Sequence, residues 1–349
     1  MATNAIGLDF GRDVLRAVEL DGADKAKPTV VRYAEMPLPE GAVRSGEVRE
    51  INTVSSAIRR LWSTAGFKSK NVVLGMGNQR VLARELTVPK MGLAQIRESL
   101  PFQVQEMLPV PVNEALLDFY PVSEGIGEQG PVINGLLIAA IKESVLANVN
   151  AVRQAGLEPV EVDLIPFALT RVLVREPYNR GTVAIIDIGG STTNVVVATN
   201  GVPQFVRMIP GGGEDISRAL VAQLDVSPQQ AENLKATRGF YGPPPTTELD
   251  QRASELIHNT ALELLTSLRN TLNFFTNSHQ NDPIQAILLS GGGSMLNGLA
   301  QALGELTRLQ IIPADPFRTV VLSKTLRNTS RQEQLNMTTA LGLAIGQAS

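Results

Sequence analysis

Two short turns in this chain carry the residue types that hold a phosphorylated ligand. AIGLDFGRD (5–13) and VAIIDIGGSTTNVVVA (183–198) each run from apolar residues to an Asp, then one residue, then a Gly. Asp9 matches Asp187 and Gly11 matches Gly189 at an offset of about half the chain, which marks an internal duplication. In both, a strand-forming run resumes after the glycine, so each reads as a β-hairpin whose Gly supplies a positive φ. Backbone amides converging in such turns form a nest for anions, and the missing side chains let phosphate approach the backbone. A divalent cation held through carboxylates and waters commonly accompanies phosphates. The expected chemistry is a nucleotide tail clamped from two sides. Asp9 and Asp187 face one Mg²⁺ through water, Ser191, Thr192 and Thr193 donate from the second side, and Arg16 adds charge on the first.

A third segment, AILLSGGGSMLNGLAQAL (286–303), reads as strand, Gly-rich turn and helix. Its Met295, Leu296, Leu299, Ala300 and Leu303 recur at helical spacing. Other chemistries are excluded by what is missing. There is no Cys, and His258 and His279 are the only histidines, so thiolate zinc sites, disulfides and a Ser–His–Asp relay have no residues to use. No G-x-x-x-x-G-K-[ST] loop occurs, and no G-x-G-x-x-G follows a strand. Lys and Arg total 31 against 34 acids, which gives no basic footprint for nucleic acid. The longest apolar run, GLLIAAI (135–141), is far short of the ~20 residues of a membrane helix, and MATNAIGLDFGRD does not read as a signal peptide. A cytoplasmic protein without direct membrane insertion is expected.

The elements that must position these turns form two similar α/β halves with one insertion in each. The first half is expected over 1–79 with 164–180, and a small α+β subdomain is inserted at 80–163. There RVLARELTVP reads as a strand, GLAQIRESLPFQVQEML as a helix, and ALLDFYPVS and VINGLLIAAI as strands joined by the polar loop 123–131. The helix KESVLANVNAVRQAG follows and ends at Gly156. The second half is expected over 181–218 with 283–349, its last helix returning to the first half, and a helical subdomain is inserted at 219–282. In that subdomain Ser227 and Pro228 form an N-cap and first-turn pair. Ile257, Ala261, Leu264, Leu268, Leu272 and Phe275 lie on one helical stripe and read as core, as does Trp62 with Ile58, Leu61 and Ala65. MLPVPVNEA (107–115) reads as a rigid loop or as the edge of an apolar groove for a partner peptide, with Phe102, Met107, Leu108 and Val110 as the candidate contacts.

GLDFGRDVLRAVEL, AIIDIGGSTTNVVV and LLSGGGSMLNGL resemble the phosphate-1, phosphate-2 and adenosine motifs of the actin-like ATPase superfamily. Nearly the whole chain is covered in that order. Within the superfamily it is similar to the PilM family of type IV pilus assembly, which is related to FtsA, through GLDFGRDVLRAVEL, PFQVQEMLPVPVNEALLDFYPV and overall size. The resemblance implies an actin-like fold of two duplicated halves and a site for ATP with Mg²⁺. It places Asp9, Gly11, Arg12 and Arg16 at the first hairpin and Asp187, Gly189, Gly190, Ser191 and Thr192 at the second. It also implies Gly211, Gly212 and Gly213 near ribose and phosphate, Glu232 and Lys235 at ribose or base, and Gly291, Gly292, Gly293, Ser294 and Met295 around the adenine.

One departure bears on turnover. In hydrolytic relatives a carboxylate or amide that positions water often precedes the turn that here is Pro166, Phe167, Ala168. Ile165 stands there, and Asp163 points the other way along an extended chain, so hydrolysis is expected to be slow or absent. The implied function is a nucleotide-loaded adaptor for the cytosolic tail of a PilN-like inner-membrane protein. It would form a ring or other homo-oligomer and link the membrane complex to the assembly motor or platform. A filament-forming division protein like FtsA and a type II secretion scaffold are the alternatives. The end of the chain has no Lys or Arg after Arg331, so the basic membrane helix of FtsA-like chains has no counterpart. A sugar or acetate kinase would need a base beside its acceptor pocket, and no candidate base stands out.

Overall fold

The computed structural model describes residues 5–23, 25 and 27–346. The chain opens as an antiparallel meander of β1 (Ala5–Phe10), β2 (Val14–Asp21) and β3 (Thr29–Pro37). A two-residue-per-arm hairpin, β4 (Val43–Arg44) and β5 (Glu47–Val48), leads into α1 (Ile51–Ala65). β6 (Asn71–Met76) then pairs parallel with β1. α1 forms because Val54, Ile58, Leu61 and Trp62 fall on one buried face. The indole of Trp62 packs on Phe67 and donates to the Ser69 carbonyl at 2.9 Å.

An excursion follows through β7 (Val81–Pro89), α2 (Leu93–Gln103), β8 (Ala115–Gly127) and β9 (Gly130–Ile141). These strands form a separate sheet in the order β7-β9-β8, with a small core of Val88, Ile96, Leu100, Val104, Phe119 and Leu137. The polar stretch expected as a long loop at 123–131 is instead mostly strand. Cross-strand pairing continues to Gly127↔Gly130, because partner strands this long satisfy backbone groups even where the side chains are polar. α3 (Lys142–Gln154) packs on α1, and β10 (Glu158–Leu164) pairs parallel with β6. The sequence places both elements inside the insertion, yet they belong to the first sheet and its helical cover. α4 (Ile165–Leu173) follows, with Pro166 in its first turn.

The second half repeats the first. β11 (Thr182–Ile188), β12 (Thr192–Thr199) and β13 (Val202–Pro210) form the antiparallel meander. After α5 (Gly213–Leu224), α6 (Pro228–Arg238) and α7 (Glu248–Ser278), β14 (Ile284–Ser290) pairs parallel with β11. α8 (Leu299–Thr307) and β15 (Gln310–Pro313) complete that sheet, in the order β13-β12-β11-β14-β15. The helix expected to begin at Met295 begins at Leu299, because Gly298 sits at φ +81°, a left-handed conformation that the helix cannot include. Ser227 caps α6 by accepting from the Gln230 amide. On α7, Leu265 takes the fully buried place that the periodicity gives to Leu264.

The chain then crosses back. β16 (Val321–Leu322) pairs with β3, giving the first sheet the order β10-β6-β1-β2-β3-β16, and α9 (Arg331–Gly346) lies on β1, β2 and β6. Two glycines allow this close approach. A Cβ at Gly7 would sit 2.0 Å from the Ala340 carbonyl, and one at Gly342 would sit 2.3 Å from that of Ala168. The result is layered. α1 and α3 cover one face of the first sheet, α4 and α9 lie between the two sheets, and α5, α7 and α8 cover the far face of the second. Among the described residues no helix is long and apolar enough to cross a membrane.

Candidate functional site

The β1–β2 and β11–β12 turns face one another across a cleft of about 720 Å³. Asp9, Gly11, Arg12 and Arg16 line it from the first turn, and Asp187, Gly189, Gly190, Ser191 and Thr192 from the second. Gly213, Glu232, Lys235, Gly291, Gly292, Gly293 and Met295 line the remainder. Of the residues singled out in the sequence, Gly211, Gly212 and Ser294 do not reach the cleft. Thr193 is fully buried and donates its hydroxyl to the Gly211 carbonyl, on the other face of its strand.

Gly11 and Gly189 are needed in their turns for space rather than for φ. None of Gly11, Gly189 and Gly190 has a positive φ, against the expectation for hairpin turns. A Cβ at Gly11 would lie 2.8 Å from the Val14 carbonyl, and one at Gly189 2.8 Å from that of Thr192. Gly212 packs against the second turn so closely that a Cβ would lie 2.3 Å from the Gly189 carbonyl. The Gly213 and Glu214 amides donate to the carbonyls of Gly189 and Gly190, both at 2.9 Å. The first amides of α5 are therefore spent on holding the turn and do not point at a ligand.

Asp187 is buried and Asp9 nearly so, and removal from water pushes both pKa values up. At Asp9 the Arg16 guanidinium, 3.8 Å away, works against burial. Arg16 is itself held by its Nε donating to Glu35 at 3.1 Å, and Glu35 also accepts from Tyr33 and, at 2.9 Å, from Asn336 of α9. Burial works to raise Glu35, but these donors and the Arg16 charge outweigh it and hold the carboxyl below its usual range. Asp187 is pushed up to about 6. Burial is the main cause, the Ser290 hydroxyl favours the charged form, and the Asp9 charge raises it further.

Two oxygens beside these carboxylates, Asn194 Oδ1 and Thr192 Oγ1, are buried without a hydrogen-bond partner. Orphaned hard oxygens next to two carboxylates suit a hydrated Mg²⁺. Among the described residues no three His, Cys, Asp or Glu side chains converge to hold a metal directly.

At the other end Lys235 pairs with Glu232 at 2.7 Å and donates to the Ser217 hydroxyl at 2.7 Å and the Gly213 carbonyl at 3.2 Å. Burial works to raise Glu232, but Lys235 and Ser217 outweigh it and lower its pKa. Met295 is half exposed at the rim. Arg12 reaches across to Glu214 of α5, an ion pair that joins the two halves at the mouth.

Several lining residues escape a reading of the sequence. Ser45 and Gly46 enter from the β4–β5 turn, and Gln332, Leu335, Asn336 and Thr339 from one face of α9. The spacing of those four is helical and visible in the sequence, but nothing local says that this face meets the cleft. Ile165 lines the cleft where a water-positioning group would stand, and Gly75 and Gly77 make room for it, since a Cβ on either would lie 2.8 Å from its side chain. Asp163 is turned away into an ion pair with Arg171.

The four candidate contacts for a partner peptide divide. Phe102, at the end of α2, is 86% exposed, whereas Met107 and Leu108 pack against the small core of the inserted sheet and Val110 is half-buried.

Comparison with known proteins gives one consistent result. The family model described as type IV pilus assembly protein PilM matches residues 7–348. A solved PilM-PilN type IV pilus biogenesis complex contains a chain that is 28% identical, with a TM-score of 0.85 and complete coverage of both chains. MreB5 of Spiroplasma citri bound to AMPPNP shares the fold, with 12% identity, a TM-score of 0.55 and coverage of 99% and 96%. Cell division protein FtsA of Bacillus subtilis is 25% identical over 58% of this chain and 51% of its own, so the chain spans about half the length of that relative.

Proposed function

The chain belongs to the family of the type IV pilus assembly protein PilM, and we propose that it serves pilus assembly as a nucleotide-loaded adaptor. The observation that carries the nucleotide reading is the duplicated pair of Asp-and-Gly turns facing one cleft. Phosphates fit between the turns, with Arg16 and the amides of Gly11 and Gly190 as their partners, the Gly189 amide being spent on the Thr192 carbonyl. A base fits between the Gly291–Met295 turn and the Glu232–Lys235 face of α6. Mg²⁺ would be held through water by Asp9 and Asp187 and would neutralise phosphate charge. The neighbour solved with AMPPNP supports the same reading at the level of the fold.

ATP in this role holds the halves together rather than fuelling turnover, because a ligand touching both turns favours the arrangement in which both reach it. Ile165 offers no group to orient water, and Asp163 is engaged by Arg171, so steady-state turnover is expected below about 1 s⁻¹. ATP with Mg²⁺ raises the melting temperature of the wild-type chain and not of Asp9→Ala. Equal melting curves with and without ATP would remove the nucleotide reading.

The partner in this reading is the cytosolic N-terminal peptide of a PilN-like protein, which the similarity to a chain of the solved PilM-PilN complex supports. Exposed Phe102 is the first contact to test. Calorimetric titration of the Mg·ATP-loaded chain with that peptide is expected to give saturable micromolar binding, weakened by Phe102→Ala. An ATP-binding chain that takes up no peptide is not this adaptor.

A further inference from the structure

β11, β14 and β15 run parallel, and their carboxyl ends open on two crevices. The first, between β11 and β14, is the cleft described above. The second lies at the ends of β14 and β15 and measures about 540 Å³, within the range of small-molecule sites. Its walls are apolar: Leu289, Ile311 and Pro313 from the strands, Ala300 from α8 and Leu335 from α9.

One cation lines it. Arg331, the first residue of α9, is half-buried, and its guanidinium donates to the Ala314 carbonyl. Among the described residues no carboxylate stands within 4.0 Å of it. The acid that shares this lining, Glu305, is already engaged by the Tyr241 hydroxyl and the Gln301 amide. A guanidinium keeps its charge at any ordinary pH, so a half-buried one facing an apolar wall without a counter-ion is poised to accept an anion from outside.

We propose that this crevice is a second ligand site, for a small monoanion with an apolar body such as an aryl or short acyl carboxylate. The anionic group sits on Arg331, and the body lies against Leu289, Ile311 and Pro313. Met295 and Leu335 line both crevices, so occupation of one changes the affinity of the other by a reciprocal factor. This coupling, unlike the site itself, rests on the nucleotide reading.

The test uses the full chain and 8-anilinonaphthalene-1-sulfonate, an aryl monoanion whose fluorescence rises in apolar sites. Without nucleotide, one saturable site is expected. Arg331→Met weakens it by about tenfold or more, the scale of a lost charge-assisted contact. Arg331→Lys retains most of the affinity. The uncharged N-phenyl-1-naphthylamine binds the parent and Arg331→Met alike, which separates the charge from the apolar walls. Ala300→Phe, which fills the crevice, abolishes binding of both dyes. Equal sulfonate binding by the parent and Arg331→Met overturns the assignment, as does non-saturable binding by the parent. A chain that binds ATP with no change in dye affinity overturns the coupling. A chain that binds the dye and not ATP overturns the nucleotide reading and leaves the second site standing.

Discussion

The two Asp-and-Gly hairpins share one strand register, yet the residue facing each Asp differs in charge. Asp9 pairs across its hairpin with Arg16, and Asp187, at the equivalent register, pairs with Asn194. The first carboxylate therefore meets a guanidinium, which Glu35, Tyr33 and Asn336 anchor in turn to β3 and α9. The second meets a neutral amide whose oxygen has no partner, and its pKa is pushed up to about 6. The first carboxylate has a full positive charge beside it, which it shares with Glu35. The second has the neutral Ser290 and Asn194 side chains as its hydrogen-bond partners, and these offset its burial only in part.

Breaking the Arg16 side should have the largest effect. Arg16→Met leaves Asp9 and Glu35 without their shared cation and is expected to lower unfolding stability by about 2–4 kcal/mol at pH 7, by urea denaturation. The matching change on the other side, Asn194→Ala, should lower it by about 1 kcal/mol, since it loses one neutral hydrogen bond to Asp187 while its orphaned oxygen loses none. Equal losses would erase the contrast.

The Asp187 side can be tested through pH. A carboxyl whose folded pKa lies above its unfolded value binds its proton more tightly in the fold. Its contribution is full below about 4 and is lost as pH rises through about 6. Asp187→Asn keeps the neutral form at every pH. The ligand-free variant should therefore exceed the parent by about 1–3 kcal/mol above pH 6, and the difference should vanish towards pH 4. The same variant should lose most of the Mg·ATP-dependent rise in melting temperature. A pH-independent difference would mean that the shift has another source.

Glycine replacement sharpens the comparison within the second turn. Gly189→Ala places a Cβ 2.8 Å from the Thr192 carbonyl and should cost about 1–2 kcal/mol, whereas a Cβ at Gly190 meets nothing within 4 Å and Gly190→Ala should be neutral within about 0.5 kcal/mol. A similarly small effect is expected of Glu35→Gln. It keeps the hydrogen bonds to Arg16 in part and should change stability by about 1 kcal/mol or less, read as a melting shift that fades in acid.

Much of this protein is legible in short stretches of its sequence. The duplicated Asp-and-Gly turns, the strand, Gly-rich turn and helix of the third motif, and the apolar stripe of α7 are local patterns, and local patterns follow from strand and helix periodicity. The reason for the turn glycines is not legible there. A hairpin glycine suggests positive φ, and only the packed backbone shows that Gly11 and Gly189 are needed because carbonyls crowd their Cβ positions. The edges of the insertion are hidden for a related cause. β10 reads as a strand wherever it lies, and its hydrogen bonds to β6 decide which sheet it joins.

The sequence by itself determined which residues form the two Asp-and-Gly turns, because type and spacing within a few residues set local backbone structure. Tertiary structure alone decided how those turns are charged and what else reaches them. Arg16 answers Asp9 only across a formed hairpin, Asn336 reaches Glu35 from the far end of the chain, and α9 brings Gln332 and Thr339 to the cleft by packing on Gly7. Contacts between residues this distant in sequence depend on packing that no local pattern encodes.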